Sequence, residues 1–190
     1  KGSRIMPFNK IIAESMDLTD TYAFTGTVSG AGGITEADQW RVSSSFGMGG
    51  SSSTVITSNL ERVDTNGYAR IGTGMTESSG VFTFPSTGIW RVAATGVYYD
   101  NATWIYCTMN IEVSTDGGSN YSIAGVGSTS ANRPSNSPEQ ACYCEILLDC
   151  TNTSNVKVRF KVTNDSQVTN IYGDSNATVT GFTFIKLGET

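Results

Sequence analysis

The stretch Ser79-Gly-Val-Phe-Thr-Phe-Pro-Ser-Thr-Gly-Ile-Trp-Arg-Val-Ala-Ala-Thr-Gly-Val-Tyr-Tyr99 decides how this chain is read. Val81-Phe-Thr-Phe84 is a short β-branched and aromatic run, Pro85-Ser-Thr-Gly88 is turn chemistry, and a longer strand follows from Ile89 to Tyr99. Side chains alternate across a strand, so Trp90, Val92, Ala94 and Tyr98 share one face and Ile89, Ala93, Val97 and Tyr99 the other. Both faces are apolar. An antiparallel sandwich covers one face of each sheet, so a strand of this kind needs a second subunit on its other side.

The closing stretch Val179-Thr-Gly-Phe-Thr-Phe-Ile-Lys-Leu187 repeats the pattern, with Val179, Ile185 and Leu187 on one face and Phe182 and Phe184 on the other. Two strands behave differently. Ile105, Cys107, Met109, Ile111 and Val113 oppose Tyr106, Thr108, Asn110 and Glu112, while Val156, Val158, Phe160 and Val162 alternate with Lys157, Arg159 and Lys161. These read as strands with one dry face and one wet face, the basic residues of the second lying in water. Only Val158 and Phe160 alternate with charges, so they are expected between the two sheets of one subunit. Trp90, Tyr98, Phe182 and Phe184, with Tyr143 and Leu147, are the expected intersubunit residues.

Outward from these strands, short apolar segments recur at spacings near ten, at 22–28, 39–46, 53–58, 68–71, 104–113, 121–126 and 140–150. Turn residues such as Asp116-Gly-Gly-Ser-Asn120 separate them. Roughly two-fifths of the 190 residues are Gly, Ser, Thr or Asn, and charged residues make up 15%. The fold class is all-β, a sandwich or jelly roll rather than alternating βαβ units. One domain spans 22–190. Residues 1–5, Lys-Gly-Ser-Arg-Ile, read as an expression-vector scar before Met6, and 6–21 read as an arm that packs on a neighbour.

The composition excludes several functions. Twelve basic against seventeen acidic residues give a net charge of −5, so nothing supplies the positive field that nucleic acid or an anionic membrane requires. No apolar run is long enough to span a bilayer. Histidine is absent, which removes the usual general base of Ser and Cys hydrolases and the commonest transition-metal ligand. Cys107, Cys142, Cys144 and Cys150 are enough for two disulfides, but a domain of this size folds without staples, and they read as buried thiols. Cys142-Tyr-Cys144 lacks the second ligand pair that zinc needs.

The segment Gly80-Val-Phe-Thr-Phe-Pro-Ser-Thr-Gly-Ile-Trp90 resembles the G-x-F-T-x-P-x-x-G-x-Y signature of the complement globular-head and tumour-necrosis-factor-like jelly rolls, with Trp90 in place of the usual Tyr. Thr180-Gly-Phe-Thr-Phe-Ile-Lys-Leu187 resembles that family's last strand, and Tyr22-Ala-Phe-Thr25 is compatible with its first. The chain as a whole is also similar to a group of virion proteins from marine bacteriophages, through the words at 11–20, Thr57-Ser-Asn-Leu-Glu-Arg62 and Ile71-Gly-Thr-Gly-Met75. The first resemblance implies a two-sheet jelly roll assembling as a homotrimer around its long strands. The second implies a virion structural protein, made in the host cytoplasm and carried on the particle exterior as a fibre, knob or decoration head.

The expected partners are other copies of the chain, virion proteins through the N-terminal arm, and a host-surface glycan or protein. A secreted recognition module of complement or cytokine type is the alternative. The loop STSANRPSNSPE at 128–139 offers Asn132, Arg133 and Asn136 as surface binding candidates. Asp100 with Asn101, Asp116 with Asn120, and Asp165 with Asp174 are oxygen pairs of the sort calcium takes, but turn chemistry explains them. Asn101, Asn120, Asn152, Asn164 and Asn176 begin N-x-S/T sequons, which a chain made in bacterial cytoplasm leaves unglycosylated. Its Glu residues stand isolated, outside any glycosidase pattern. No catalysis, cofactor or metal is expected.

Overall fold

A computed structural model describes residues 33–99, 104–131, 139–165 and 169–190. The segments 1–5 and 6–21 and the strand expected at 22–28 lie outside these residues. The described chain is all-β, with thirteen strands among the described residues: β1 (Ala37–Val42), β2 (Ser44–Met48), β3 (Ser53–Val55), β4 (Leu60–Arg62), β5 (Thr76–Ser78), β6 (Val81–Thr83), β7 (Gly88–Tyr99), β8 (Trp104–Ser114), β9 (Ser122–Ala131), β10 (Glu139–Cys150), β11 (Lys157–Asn164), β12 (Thr169–Asp174) and β13 (Gly181–Gly188).

They form two antiparallel sheets. The seven-stranded sheet runs β2-β12-β7-β13-β1-β4, with β10 on the free edge of β7. The six-stranded sheet runs β5-β6-β11-β8-β9, with β3 also on β11. In the first sheet β13 sets Phe182 beside Ala94 and Phe184 beside Val92, while β10 sets Leu147 beside Arg91 and Tyr143 beside Thr95. In the second, Phe160 of β11 pairs with Ile111 of β8.

The core lies between these sheets, and its centre is aromatic. Phe160 stacks on Phe182 with ring centroids 3.8 Å apart and planes at 13°. Phe82 meets Phe184 at 5.1 Å, and Phe84 meets Trp90 at 5.0 Å. Each such pair contributes about 0.5–1.5 kcal/mol beyond the apolar area it buries. Burial therefore corrects the sequence reading of faces. Trp90, Tyr98, Phe182 and Phe184 are not intersubunit residues; all four are almost wholly buried within the one subunit, on the same side of their sheet as Val158 and Phe160 are of theirs. Alternation on β13 identifies two apolar faces but not which faces inward, and here the larger rings fill the space between the sheets.

Several boundaries differ from expectation. Residues 39–46 break at Ser43 into β1 and β2, and 68–71 contributes only a bridge between Ile71 and Ala37. The polar strands β4, β5 and β12 carry no apolar alternation and went unforeseen. The β5–β6 hairpin turns through Ser79 (φ 52°) and Gly80 (φ 85°), both left-handed as a two-residue turn of this twist demands. A Cβ on Gly80 would stand 2.3 Å from the Ile56 carbonyl oxygen.

At one margin the edge strands of the two sheets meet. A Cβ on Gly127 of β9 would lie 2.4 Å from the Tyr143 carbonyl oxygen on β10, and one on Gly125 would lie 3.0 Å from Ile146. Only glycine lets these two backbones approach so closely.

The basic residues of β11 are not simply solvated. Glu112 on the outward side of β8 is buried, and Arg159 (2.6 Å) and Lys161 both bind its carboxylate. The Arg159 guanidinium also lies 3.8 Å from the centre of the Tyr121 ring. Burial pushes the Glu112 carboxyl up, but the hydrogen bonds from Lys161 and Arg159 outweigh it and hold it below the usual carboxylate range.

Candidate functional site

The feature most open to a partner is the outer face of the seven-stranded sheet. Residues that alternate with the core set point there: Ile89, Arg91, Val97 and Tyr99 from β7, Tyr143, Glu145 and Leu147 from β10, and Ile185 and Leu187 from β13. Tyr143 is 51% exposed, Leu147 70% and Leu187 53%. Large apolar side chains held open on a regular sheet mark a surface that gains free energy when covered. Leu147, Arg91 and Ile185 are register partners across β10, β7 and β13, so the patch is continuous across three strands.

A compact polar group sits within it. Arg91 donates to Glu145 (2.8 Å) and to the Tyr143 hydroxyl (2.7 Å), and that hydroxyl donates to Glu145 (2.5 Å). The Tyr143 hydroxyl first, and Arg91 after it, hold the Glu145 carboxyl below its usual range. Tyr99 and Tyr172 pack edge to face at 5.6 Å on the same sheet. Of the six residues expected between subunits, Tyr143 and Leu147 therefore stand on the open face, where Ile185 and Leu187 join them. Alternation in the sequence groups Ile185 with Leu187, and Ile89 with Val97 and Tyr99, on the faces that the structure turns outward. Asn132, Arg133 and Asn136 lie outside the described residues, as do Asp100 and Asn101.

A second feature lies at the β1 end of this face. The loops at 63–68 and 175–180 cover the outward side of β1, and hydrogen bonds from Thr65 (3.4 Å) and Asn66 (2.8 Å) to the Asn176 carbonyl join them. Beneath is a cavity of about 410 Å³ lined by Gln39, Arg41, Thr65, Asn66, Tyr68 and Asn176, among others. A smaller one of about 230 Å³, bordered by Thr95, Val179 and Thr183, shares Gln39 and Thr178 with it. Arg41 is fully buried and spends three N–H donors on Glu61 (3.0 Å), Asp64 (2.8 Å) and Thr65 (2.9 Å). No sequence signal joins these residues, because they come from four separate stretches of the chain.

The expected oxygen pairs have structural work. Asp116 accepts from Ser114 (2.7 Å) and from the Asn120 backbone (2.9 Å) and side chain (2.7 Å), closing the turn after β8. The Asn120 backbone and side chain, in that order, pull its carboxyl down to about 2. Asn164 of the sequon at 164–166 is buried, accepting from Ser52 (2.8 Å) and donating to Gly49 (2.9 Å). Among the described residues no group of three or more His, Cys, Asp or Glu is placed to hold a metal ion.

Cys107, Cys142, Cys144 and Cys150 are buried on β8 and β10, with no disulfide between them among the described residues. Burial pushes the thiols of Cys142 and Cys150 up, and that of Cys144 up to about 11. Thiol titration is expected to find close to four reactive groups in denaturant without reductant, and to proceed far more slowly in the folded protein. Recovery of none would show that the cysteines are oxidised.

No family model matches this sequence, and no curated protein does either. Solved structures do match. The TNF Eiger from S. frugiperda superposes with a TM-score of 0.59 at 10% identity, over 83% of this chain and 95% of that one. Murine APRIL at pH 5.0 gives 0.56 at 11% identity, and at pH 8.5 gives 0.52 at 16%, each over 80% of this chain and 98% of the other. The fold is a TNF-like jelly roll. The TNF-like likeness expected from Gly80 to Trp90 thus extends over about four-fifths of the chain, at identities that establish the fold alone.

Proposed function

We propose that this TNF-like jelly roll is the globular head of a non-enzymatic homotrimer, carried on the exterior of a phage virion, where it takes part in particle assembly and in contact with a host surface. The observation that carries the self-association is the open face of the seven-stranded sheet, with Leu147, Ile185 and Leu187 in one apolar patch. A closed symmetric assembly covers such a face without leaving a copy of it exposed. Three heads on one stalk also turn weak contacts into firm attachment through effective concentration. The virion setting is supported by the sequence words at 11–20, 57–62 and 71–75, and the arm at 6–21 is assigned to other virion proteins.

A secreted recognition module is the second reading, favoured by the likeness in fold to a TNF and to APRIL. Light scattering at micromolar concentration is expected to give about three times the 20.2 kDa chain mass. Leu147→Glu combined with Leu187→Glu is expected to give single chains with the strand content unchanged. A parent protein that scatters as one chain overturns the trimer. Mass spectrometry of purified particles that carry the gene decides the location: the chain's absence from them overturns the virion role.

A further inference from the structure

The larger cavity, at the β1 end of the sheet, is a built polar cradle. We propose that it binds one neutral saccharide unit, with Gln39 and Thr178 as its principal contacts. This deepens the surface-contact reading above and rests on it.

Three observations carry the site. First, the cavity has a rigid frame: its two covering loops are tied together at the Asn176 carbonyl, and its floor is the buried Arg41. At about 410 Å³ it falls in the range of small-molecule sites.

Second, hydrogen-bonding groups are left over around it. Gln39 gives its Nε2 to Thr183 (3.2 Å), while its Oε1, the Asn66 Oδ1 and the Thr178 hydroxyl accept or donate nothing among the described residues. Arg41 beneath them is held by Glu61, Asp64 and Thr65 and serves as the floor rather than as a ligand donor. Amide oxygens and a hydroxyl together match the alternating donors and acceptors of vicinal sugar hydroxyls, and the Tyr68 ring supplies the wall on which a pyranose face rests.

Third, the electrostatics reject an anion. Glu61 and Asp64 both pair with Arg41, leaving the cluster one negative charge in excess, so phosphate, sulfate or a carboxylate sugar is repelled. A peptide is disfavoured because the lining offers only Val63 and Ala177 as aliphatic contacts.

Saturation-transfer NMR with the methyl glycosides of glucose, galactose, mannose and N-acetylglucosamine tests this on the full chain. At least one is expected to receive saturation, with a dissociation constant on the order of 1 mM, as suits a few exchanged hydrogen bonds. Gln39→Leu together with Thr178→Val is expected to reduce the signal at least tenfold. Valine matches threonine in shape, so Thr178→Val removes only the hydroxyl and leaves the tie from Asn66 to the Asn176 carbonyl in place. Thermal melting and light scattering of the same samples report folding and assembly separately. Transfer to none of the four glycosides, or undiminished transfer to the folded double variant, overturns the site. A trimer that binds no glycoside overturns the saccharide site alone, whereas a monomer that binds one overturns the trimer alone.

Discussion

Phe182→Ala is expected to lower the stability of each protomer by about 3 to 5 kcal/mol, and by the same amount at low and high protein concentration. The ring is 1% exposed, stacked on Phe160 at 3.8 Å and tilted against Phe82 at 6.1 Å. Its loss removes apolar area and leaves a void that β11 and β13, held in register by their sheets, cannot close. Denaturant titrations of parent and variant at two protein concentrations check this. A deficit that shrinks as concentration rises would place the ring between subunits after all. The contrast is Leu147→Glu with Leu187→Glu, whose effect falls on assembly because both side chains already face outward.

The second large effect belongs to Asp38. Its buried carboxylate accepts from the Tyr68 hydroxyl (2.7 Å), the Met75 amide (2.8 Å), the Trp40 indole (2.9 Å), the Gln39 amide (3.0 Å) and Arg62 (3.1 Å). It ties β1 to β4 and to the loop leading into β5. Asp38→Asn removes the charge and turns an NH₂ group toward donors, an expected cost of about 3 to 5 kcal/mol. Burial pushes the Asp38 carboxyl up, but Arg62, Tyr68, Trp40 and Met75 together hold it below its ordinary value of 3.8. Stability from a depressed carboxyl is full above the unfolded-state value and is lost as pH falls through the folded one. The gap between parent and variant is therefore expected to be widest near neutrality and to narrow below about pH 4. Urea titrations at pH 7 and pH 3 read it; a gap that is equal at both, or below 1 kcal/mol at pH 7, rejects the account.

How far the sequence revealed the molecule follows from which forces leave a local trace. Alternation on β8 and β11 located two strands and their dry faces, because charge on one side and bulk on the other appear every second residue. On β7 and β13 both sides are apolar, and period two then identifies the faces without ranking them. The lack of charged neighbours points Trp90, Phe182 and Phe184 outward, whereas ring volume sends them inward. The polar strands β4 and β12 owe their extension to partners far along the chain, such as Arg41 for Glu61 and Tyr99 for Asn170, and β5 owes its own to the hairpin with β6, so none of the three carries a local apolar pattern. The cradle around Arg41 was illegible for the same reason: Gln39, Asn66 and Asn176 meet only once the sheets have formed.

The close approach of Gly127 to Tyr143 bears on how safely such a head can be crowded. β9 and β10, ten and twelve residues long, each lie at the end of a sheet, and an unpaired strand of that length is a template for edge-to-edge aggregation with other chains. Seated against each other, they shield one another's backbone. A single methyl group at position 127 would part them and leave two sticky margins per molecule, most damaging where many copies are held at high local concentration. The absent side chain thus acts as a safeguard on solubility as much as a detail of packing.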